Sequence, residues 1–214
     1  MKRQAFIFDL DGTLLNTIQD LANSVNETLR DFHQPTYSVD EVRMMVGNGV
    51  RKLIERACAE GTDSHQQEKM YQRFLEIYAR EKAHFTKPYP GIVKTVQALE
   101  AQGMRCAVLS NKNDDAVKAL CDQFFPDAFA LSQGVSDHVR PKPAPDGLLN
   151  VCKRLGVDVE AALYIGDSEV DIQTGRAAKM DMASVTWGFR EPETLLQAGA
   201  TLLVDAPEEL LKLV

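Results

Sequence analysis

The chain lacks any long uninterrupted apolar run: hydrophobic residues fill 44% of its 214 positions, yet they never gather into the roughly 20-residue stretch that a membrane span requires. No apolar signal region follows Met1. Lys2 and Arg3 lead straight into a strand-like segment, so a cytoplasmic protein is expected. Cysteine is sparse, and Cys58, Cys106, Cys121 and Cys152 form no C-x-x-C pair and no zinc-like spacing; this points to buried or incidental thiols rather than a disulfide frame. Basic residues are in deficit, with 24 Lys and Arg against 31 Asp and Glu and a net charge of −7. That balance disfavours a nucleic-acid or anionic-membrane binder and leaves a small molecule as the expected partner. Low-complexity segments and internal repeats are missing, and the apolar content is too high for a disordered chain. What remains fits one large domain, or a core domain carrying a smaller insertion.

The first apolar run, residues 5–10, ends at Gly12-Thr13 and reads as a buried strand opening into a loop. Similar runs recur at 105–110, 128–131, 161–166, 182–187 and 201–205, separated by helical patterns at 91–102, 114–123, 144–155 and 170–179. Alternating strands and helices predict an α/β fold, a Rossmann-like and mostly parallel sheet covered on both faces. Between the first two strands the rhythm fails. There the helical patterns 18–32, 39–45, 50–59 and 66–84 follow one another, which predicts an inserted α-helical subdomain over 16–85 and a core over 1–15 and 86–214. The T-K-P-Y-P-G string at 86–91 supplies two prolines and a glycine to reset the chain direction at one hinge; the other lies near 15–17.

Two aspartates interrupt the first apolar run. Asp9 and Asp11 project from the same side of an extended chain, and desolvating uncompensated carboxylates is expensive, so the pair needs a cation or an exposed strand end. In open α/β sheets that strand end is where ligands bind. A second acidic constellation, Y-I-G-D-S-E-V-D-I, sets Asp167 and Asp171 four residues apart where a strand gives way to a helix. Both carboxylates can approach one point at the strand tip, and a hard, oxygen-seeking ion such as Mg²⁺ would satisfy them; Ser168 and Asp171 also read as a helix capping box. Ser110 and Asn111, after another strand, offer a hydroxyl and amides to phosphate oxygens, with a helix N-cap as the competing reading. Lys142, between Pro141 and Pro143, is a stiffly held ammonium that could offset crowded carboxylates.

Taken in order, D-x-D-G-T, Ser-Asn, Lys and G-D-x-x-x-D resemble the haloacid dehalogenase-like hydrolase superfamily over essentially the whole chain, with the helical insertion similar to its small α-helical cap. Y-P-G-I-V-K-T-V-Q-A-L, L-S-N-K-N-D and R-P-K-P-A-P-D look most like its phosphoglycolate phosphatase group. The resemblance implies an in-line attack by Asp9 on phosphorus to give an aspartyl-phosphate, with Asp11 as acid and then base. It implies Mg²⁺ held by Asp9, the Asp11 carbonyl and Asp167, with Asp171 close by or acting through water. Ser110 and Lys142 would hold the phosphoryl group and the Asp9 carboxylate. Asn16 and Ser110 depart mildly from the commonest pattern, where Asp and Thr often stand.

Substrate choice is expected in the insertion, where Gly47, Asn48 and Gly49 match the cap loop of this group and also suit a helix-to-helix turn; Asn111, after a core strand, is also expected to contact substrate. Arg51 could meet a substrate carboxylate, but a solvated helix face is the commoner fate of such a residue. His33, His65, His84 and His138 show no ligand spacing, and Trp187 is expected to pack against the sheet. The expected activity is Mg²⁺-dependent hydrolysis of a small phosphorylated metabolite, 2-phosphoglycolate first, by a monomer or homodimer. A β-phosphoglucomutase-like phosphomutase, an inorganic pyrophosphatase and a non-catalytic regulatory protein are the alternatives.

Overall fold

The computed structural model describes residues 2–81, 83–136 and 139–214, so His138 lies outside the described residues. The chain forms two compact units, Met1–Asn16 with Pro88–Val214, and Thr17–Lys87. In order along the chain come β1 (Ala5–Phe8), β2 (Leu15–Asn16), α1 (Ile18–Asp31), α2 (Val39–Met45), α3 (Val50–Ala57), α4 (Ser64–Glu81) and β3 (Lys87–Pro88). Then follow α5 (Ile92–Ala101), β4 (Arg105–Asn113), α6 (Asp114–Phe124), β5 (Leu131–Val135), α7 (Asp146–Leu155), β6 (Ala162–Gly166), α8 (Glu169–Ala178), β7 (Asp181–Val185), α9 (Pro192–Gln197) and β8 (Leu203–Val204).

The helical unit consists of α1 to α4. Leu21, Val25 and Leu29 recur at helical spacing on α1 and bury one face among Val42, Leu53, Ile54, Met70, Phe74 and Tyr78 of the other three helices. Ser38 and Glu41 form a reciprocal capping box that starts α2. The unit extends to Lys87 because buried Asp20 on α1 accepts from the Phe85 amide at 3.0 Å and from the Thr86 amide and hydroxyl at 2.8 and 2.6 Å. Residues 86 and 87 therefore belong with the helices and Asn16 with the core, against the sequence-based bounds.

The core sheet has the order β5-β4-β1-β6-β7-β8, and its ladders are parallel. All four residues of β1 are buried, as expected of a central strand covered on both faces. One layer packs Ile7, Leu109 and Tyr164 against Leu148, Val151 and Leu155 of α7. The chain builds outward from β1 to β4 and β5, then returns to lay β6 on the other side of β1. That reversal is the switch point at which α/β sheets open a crevice beyond their strand ends.

One expected strand is displaced and another extended. The strand expected at 128–131 begins at Leu131, because Phe129 packs its ring against Phe8 and Phe125 and the Ala130 amide is spent on the Cys106 carbonyl. Strand β4 runs past Ser110 to Asn113, with a shift in pairing between Leu109 and Asn113.

Candidate active site

Asp9 is the first residue beyond β1, and its amide donates to the Ile165 carbonyl at 2.8 Å. Phe8 pairs with Ile165 on the neighbouring β6, so the two strands end together and bring Asp9 beside Asp167. Helix α8 begins immediately after β6 and returns Asp171 to the same point. Carboxylate oxygens of Asp9, Asp167 and Asp171 lie within 4.8 Å of one another, and all three residues are buried.

The Lys142 ammonium penetrates this cluster. Lys142 Nζ lies 2.8 Å from Asp9 Oδ1 and 2.7 Å from Asp171 Oδ1, and it donates to the Tyr164 hydroxyl at 3.0 Å. Its backbone is held by the Asn111 side chain, which accepts from the Lys142 amide at 2.7 Å and donates to the Lys142 carbonyl at 3.0 Å. Asn111 thus grips the lysine's main chain on both sides. The helix cap near this strand is Asn113, which accepts from the Asp115 amide at 3.1 Å.

Asp171 has both oxygens occupied by protein donors. Oδ1 accepts from Lys142 and from the Tyr164 hydroxyl at 2.6 Å; Oδ2 accepts from the Ser168 amide at 3.1 Å and hydroxyl at 2.6 Å. The capping reading and the cluster reading of this motif therefore both apply. Asp167 is steered differently: Oδ1 accepts from Thr13 Oγ1 at 3.1 Å and Oδ2 from the Phe189 amide at 2.8 Å. The loop after β7 lies close against it, since a Cβ at Gly188 would overlap the Asp167 side chain and stand 2.6 Å from the Gly12 carbonyl. Gly12 itself has φ of 88°, a left-handed conformation that glycine adopts without strain. Trp187 ties this loop to the first motif by donating its indole N–H to the Thr13 carbonyl at 3.0 Å. It serves as an anchor through this bond.

On the other side of Asp9, Asp11 meets a residue that the sequence reading passed over. Lys112 Nζ donates to Asp11 Oδ1 at 3.0 Å and Oδ2 at 3.1 Å, while the Lys112 amide donates to Ser110 Oγ at 3.2 Å. Spacing could have found it, because residues two apart on a strand share a face with Ser110. Reading the strand as ending at Ser110 hid that relation.

Burial is the main cause that raises the Asp9 carboxyl well above its ordinary range, reinforced by the charges of Asp171 and Asp167 and opposed by Lys142. Burial, with the Asp171 charge, pushes Asp167 up to about 7. Burial acts on Asp171 in the same sense, but Lys142, Ser168 and Tyr164 outweigh it and hold that carboxyl below its ordinary value. Burial would depress Lys142, yet Asp171 and Asp9 together raise it. Three carboxylates against one ammonium leave an excess of negative charge, and two of the three resist ionising. An all-oxygen donor set in that condition fits a hard cation, so the cluster could hold a metal ion.

In the helical unit, the loop between α2 and α3 has Gly47 at φ 130° and Gly49 at φ 83°, with Gly49 capping α3. Arg56 braces it, donating to the Asn48 side-chain oxygen and to the Met45 carbonyl, both at 2.6 Å. Arg51 ion-pairs with Glu68 and lies 4.1 Å above the Tyr71 ring. Among the described residues, no helix is long and apolar enough to cross a membrane.

Comparison with known proteins gives a consistent picture. Phosphoglycolate phosphatase 1 of Pseudomonas aeruginosa is 34% identical over 211 residues, covering 96% of this chain and 77% of that protein. The N-acetylmuramic acid 6-phosphate phosphatase of the same organism is 34% identical over 214 residues, covering 99% and 94%. A crystal structure from Lactobacillus delbrueckii subsp. bulgaricus superposes with a TM-score of 0.95 at 34% identity, covering 98% of this chain and 97% of that one. The family model for haloacid dehalogenase-like hydrolases matches residues 6–185, from the first strand through the buried carboxylates to β7, and the chain belongs to that family.

Proposed function

We propose that this chain is a Mg²⁺-dependent phosphomonoester hydrolase that works through an aspartyl-phosphate on Asp9, with 2-phosphoglycolate as the first candidate substrate. The observation that carries the reading is the meeting of Asp9, Asp167 and Lys142 at one buried strand end, with Asp11 two residues farther along. Asp9, Asp167 and the Asp11 carbonyl would hold the ion, which when bound neutralises charge on the phosphoryl oxygens. In this reading Asp171 stays outside the direct ligands, supported by the four hydrogen bonds to its oxygens. Its role is to hold Lys142, and Lys142 keeps Asp9 oriented and ionised for attack.

In the first step an Asp9 oxygen bonds to phosphorus as the bond to the leaving oxygen breaks, and Asp11 gives that oxygen its proton. In the second, Asp11 takes a proton from water, the water oxygen attacks phosphorus, and the bond from Asp9 to phosphorus breaks. Inorganic phosphate leaves, with Asp9 free and Asp11 reprotonated. Ser110 holds phosphoryl oxygens, and Asn111 acts by fixing Lys142 instead of touching substrate. Gly47, Asn48 and Gly49 carry substrate choice, supported by the bracing of their loop through Arg56.

A second substrate, a 6-phosphorylated amino sugar, is favoured by the near-complete two-way coverage with the N-acetylmuramic acid 6-phosphate phosphatase. Both candidates are phosphate esters of primary alcohols that also bear a carboxylate. The reading extends to a cytoplasmic location, which four free cysteines suit, and to a monomer or homodimer. Phosphate release from both compounds, glucose phosphates and pyrophosphate, with Mg²⁺ and with chelator, tests it. Metal-dependent release with preference for one carboxylate-bearing ester is expected; release from pyrophosphate alone, or sugar-phosphate isomerisation without release, would overturn it.

A further inference from the structure

Lys112 places a charged side chain where charge is expensive. The side chain is 4% exposed, and the ammonium reaches the Asp11 carboxylate with nearly equal distances of 3.0 and 3.1 Å to its two oxygens. Its backbone is firmly seated, because a Cβ on Gly134 of the adjacent strand would come within 2.5 Å of the Lys112 carbonyl oxygen. Asp11, by contrast, sits in a turn that fixes its main chain, through the Gly12 amide bond to the Leu15 carbonyl at 2.9 Å, and leaves its side-chain torsions to be set by neighbours. A rigid ammonium donating to both oxygens selects one rotamer.

We propose that Lys112 is a positioning residue that aims the Asp11 carboxyl at the oxygen leaving phosphorus, so that its loss impairs esters whose leaving group must be protonated. The inference rests on the phosphatase reading above and adds a residue to it. Phosphate esters of primary alcohols expel a strongly basic alkoxide and depend on the Asp11 proton as their bond to phosphorus breaks. 4-Nitrophenyl phosphate expels a weakly basic phenolate and departs without it. The quotient kcat/KM reports this first step, whatever limits the later hydrolysis of the aspartyl-phosphate.

The test compares wild type, Lys112→Met and Lys112→Arg on 2-phosphoglycolate, ethyl phosphate and 4-nitrophenyl phosphate. Lys112→Met is expected to lose about 100-fold in kcat/KM on both alkyl esters and less than about 5-fold on the nitrophenyl ester. Lys112→Arg, which keeps two donors, is expected to recover most of the alkyl activity and covers the case in which the methionine variant fails to fold. Equal loss on all three esters would reduce Lys112 to general charge balance, and loss confined to 2-phosphoglycolate would make it a reader of the carboxylate; either result overturns the proposal. An arginine variant with wild-type melting behaviour but no recovery on the alkyl esters overturns it as well. Wild-type protein that hydrolyses none of the esters with Mg²⁺ would instead overturn the phosphatase reading itself.

Discussion

Lys142 and Asp171 form an ion pair 2.7 Å long in which the lysine side chain is 3% exposed and the aspartate wholly buried. Breaking a buried pair by neutralising one partner leaves the other charge desolvated, at a cost of about 3–5 kcal/mol. Asp171→Asn is therefore expected to destabilise the fold on that scale in denaturant melts, with metal affinity reduced far less than by Asp167→Asn. Equal loss of metal binding in the two variants would return Asp171 to the direct ligands.

Asp9→Asn keeps the shape of the site and removes the attacking charge. Steady-state phosphate release is expected to fall by about four orders of magnitude or more, whereas Asp11→Asn should cost about 10²–10⁴-fold. Rapid quenching of the Asp11 variant on an aryl phosphate is expected to trap phosphorylated protein. Full activity in Asp9→Asn would remove the nucleophile assignment.

Gly188→Ala tests the close packing around Asp167. A methyl group there overlaps the aspartate side chain and approaches the Gly12 carbonyl, so backbone must shift. Calorimetry is expected to show a loss of about 1–3 kcal/mol together with weaker Mg²⁺ binding. An alanine variant that melts and binds Mg²⁺ like wild type would mean that the loop is looser than its geometry indicates.

The raised carboxyls set a pH dependence for the metal-free protein. Unfolded aspartates ionise near about pH 4, whereas Asp167 is pushed up to about 7 by burial and the Asp171 charge, so within that window the folded state binds more protons. Stability must then fall as pH rises through it, and Asp9, raised by burial, acts in the same direction. Asp171 acts oppositely, but only below its ordinary value. Melting in chelator is expected to worsen from about pH 5 to about pH 7.5, with the stabilisation by Mg²⁺ growing over the same range. A Mg²⁺ effect independent of pH would show that the carboxylates are already ionised without it.

Much of this was readable from short spacings. Asp167 and Asp171 lie four residues apart where β6 gives way to α8, so local geometry alone brings that pair together, and Asp9 stands at the end of β1. The alternation of strands and helices gave the layers for the same reason. What escaped depends on distant contacts, at which local spacing hints at most for one partner. Asn111 grips a backbone 31 residues away, and Lys112 pairs with an acid 101 residues away. Trp187 shows the same blindness. Its ring predicts packing, but its bond to Thr13, 174 residues distant, needs the whole sheet in place. The strand expected at 128–131 slid toward its C-terminus because apolar content does not distinguish Phe129, packed on other rings, from a residue in the ladder.

The bracket around Asp167 has a consequence for synthesis. One of its hydrogen-bond donors, Thr13, is made long before another, the Phe189 amide. A nascent chain emerging from the ribosome can pair β1 with β4, yet it cannot close the site until the loop after β7 has left the exit tunnel. Phosphate chemistry is thereby withheld from incomplete chains, and any fragment ending before Phe189 is expected to be born inactive, however much of its sheet has formed.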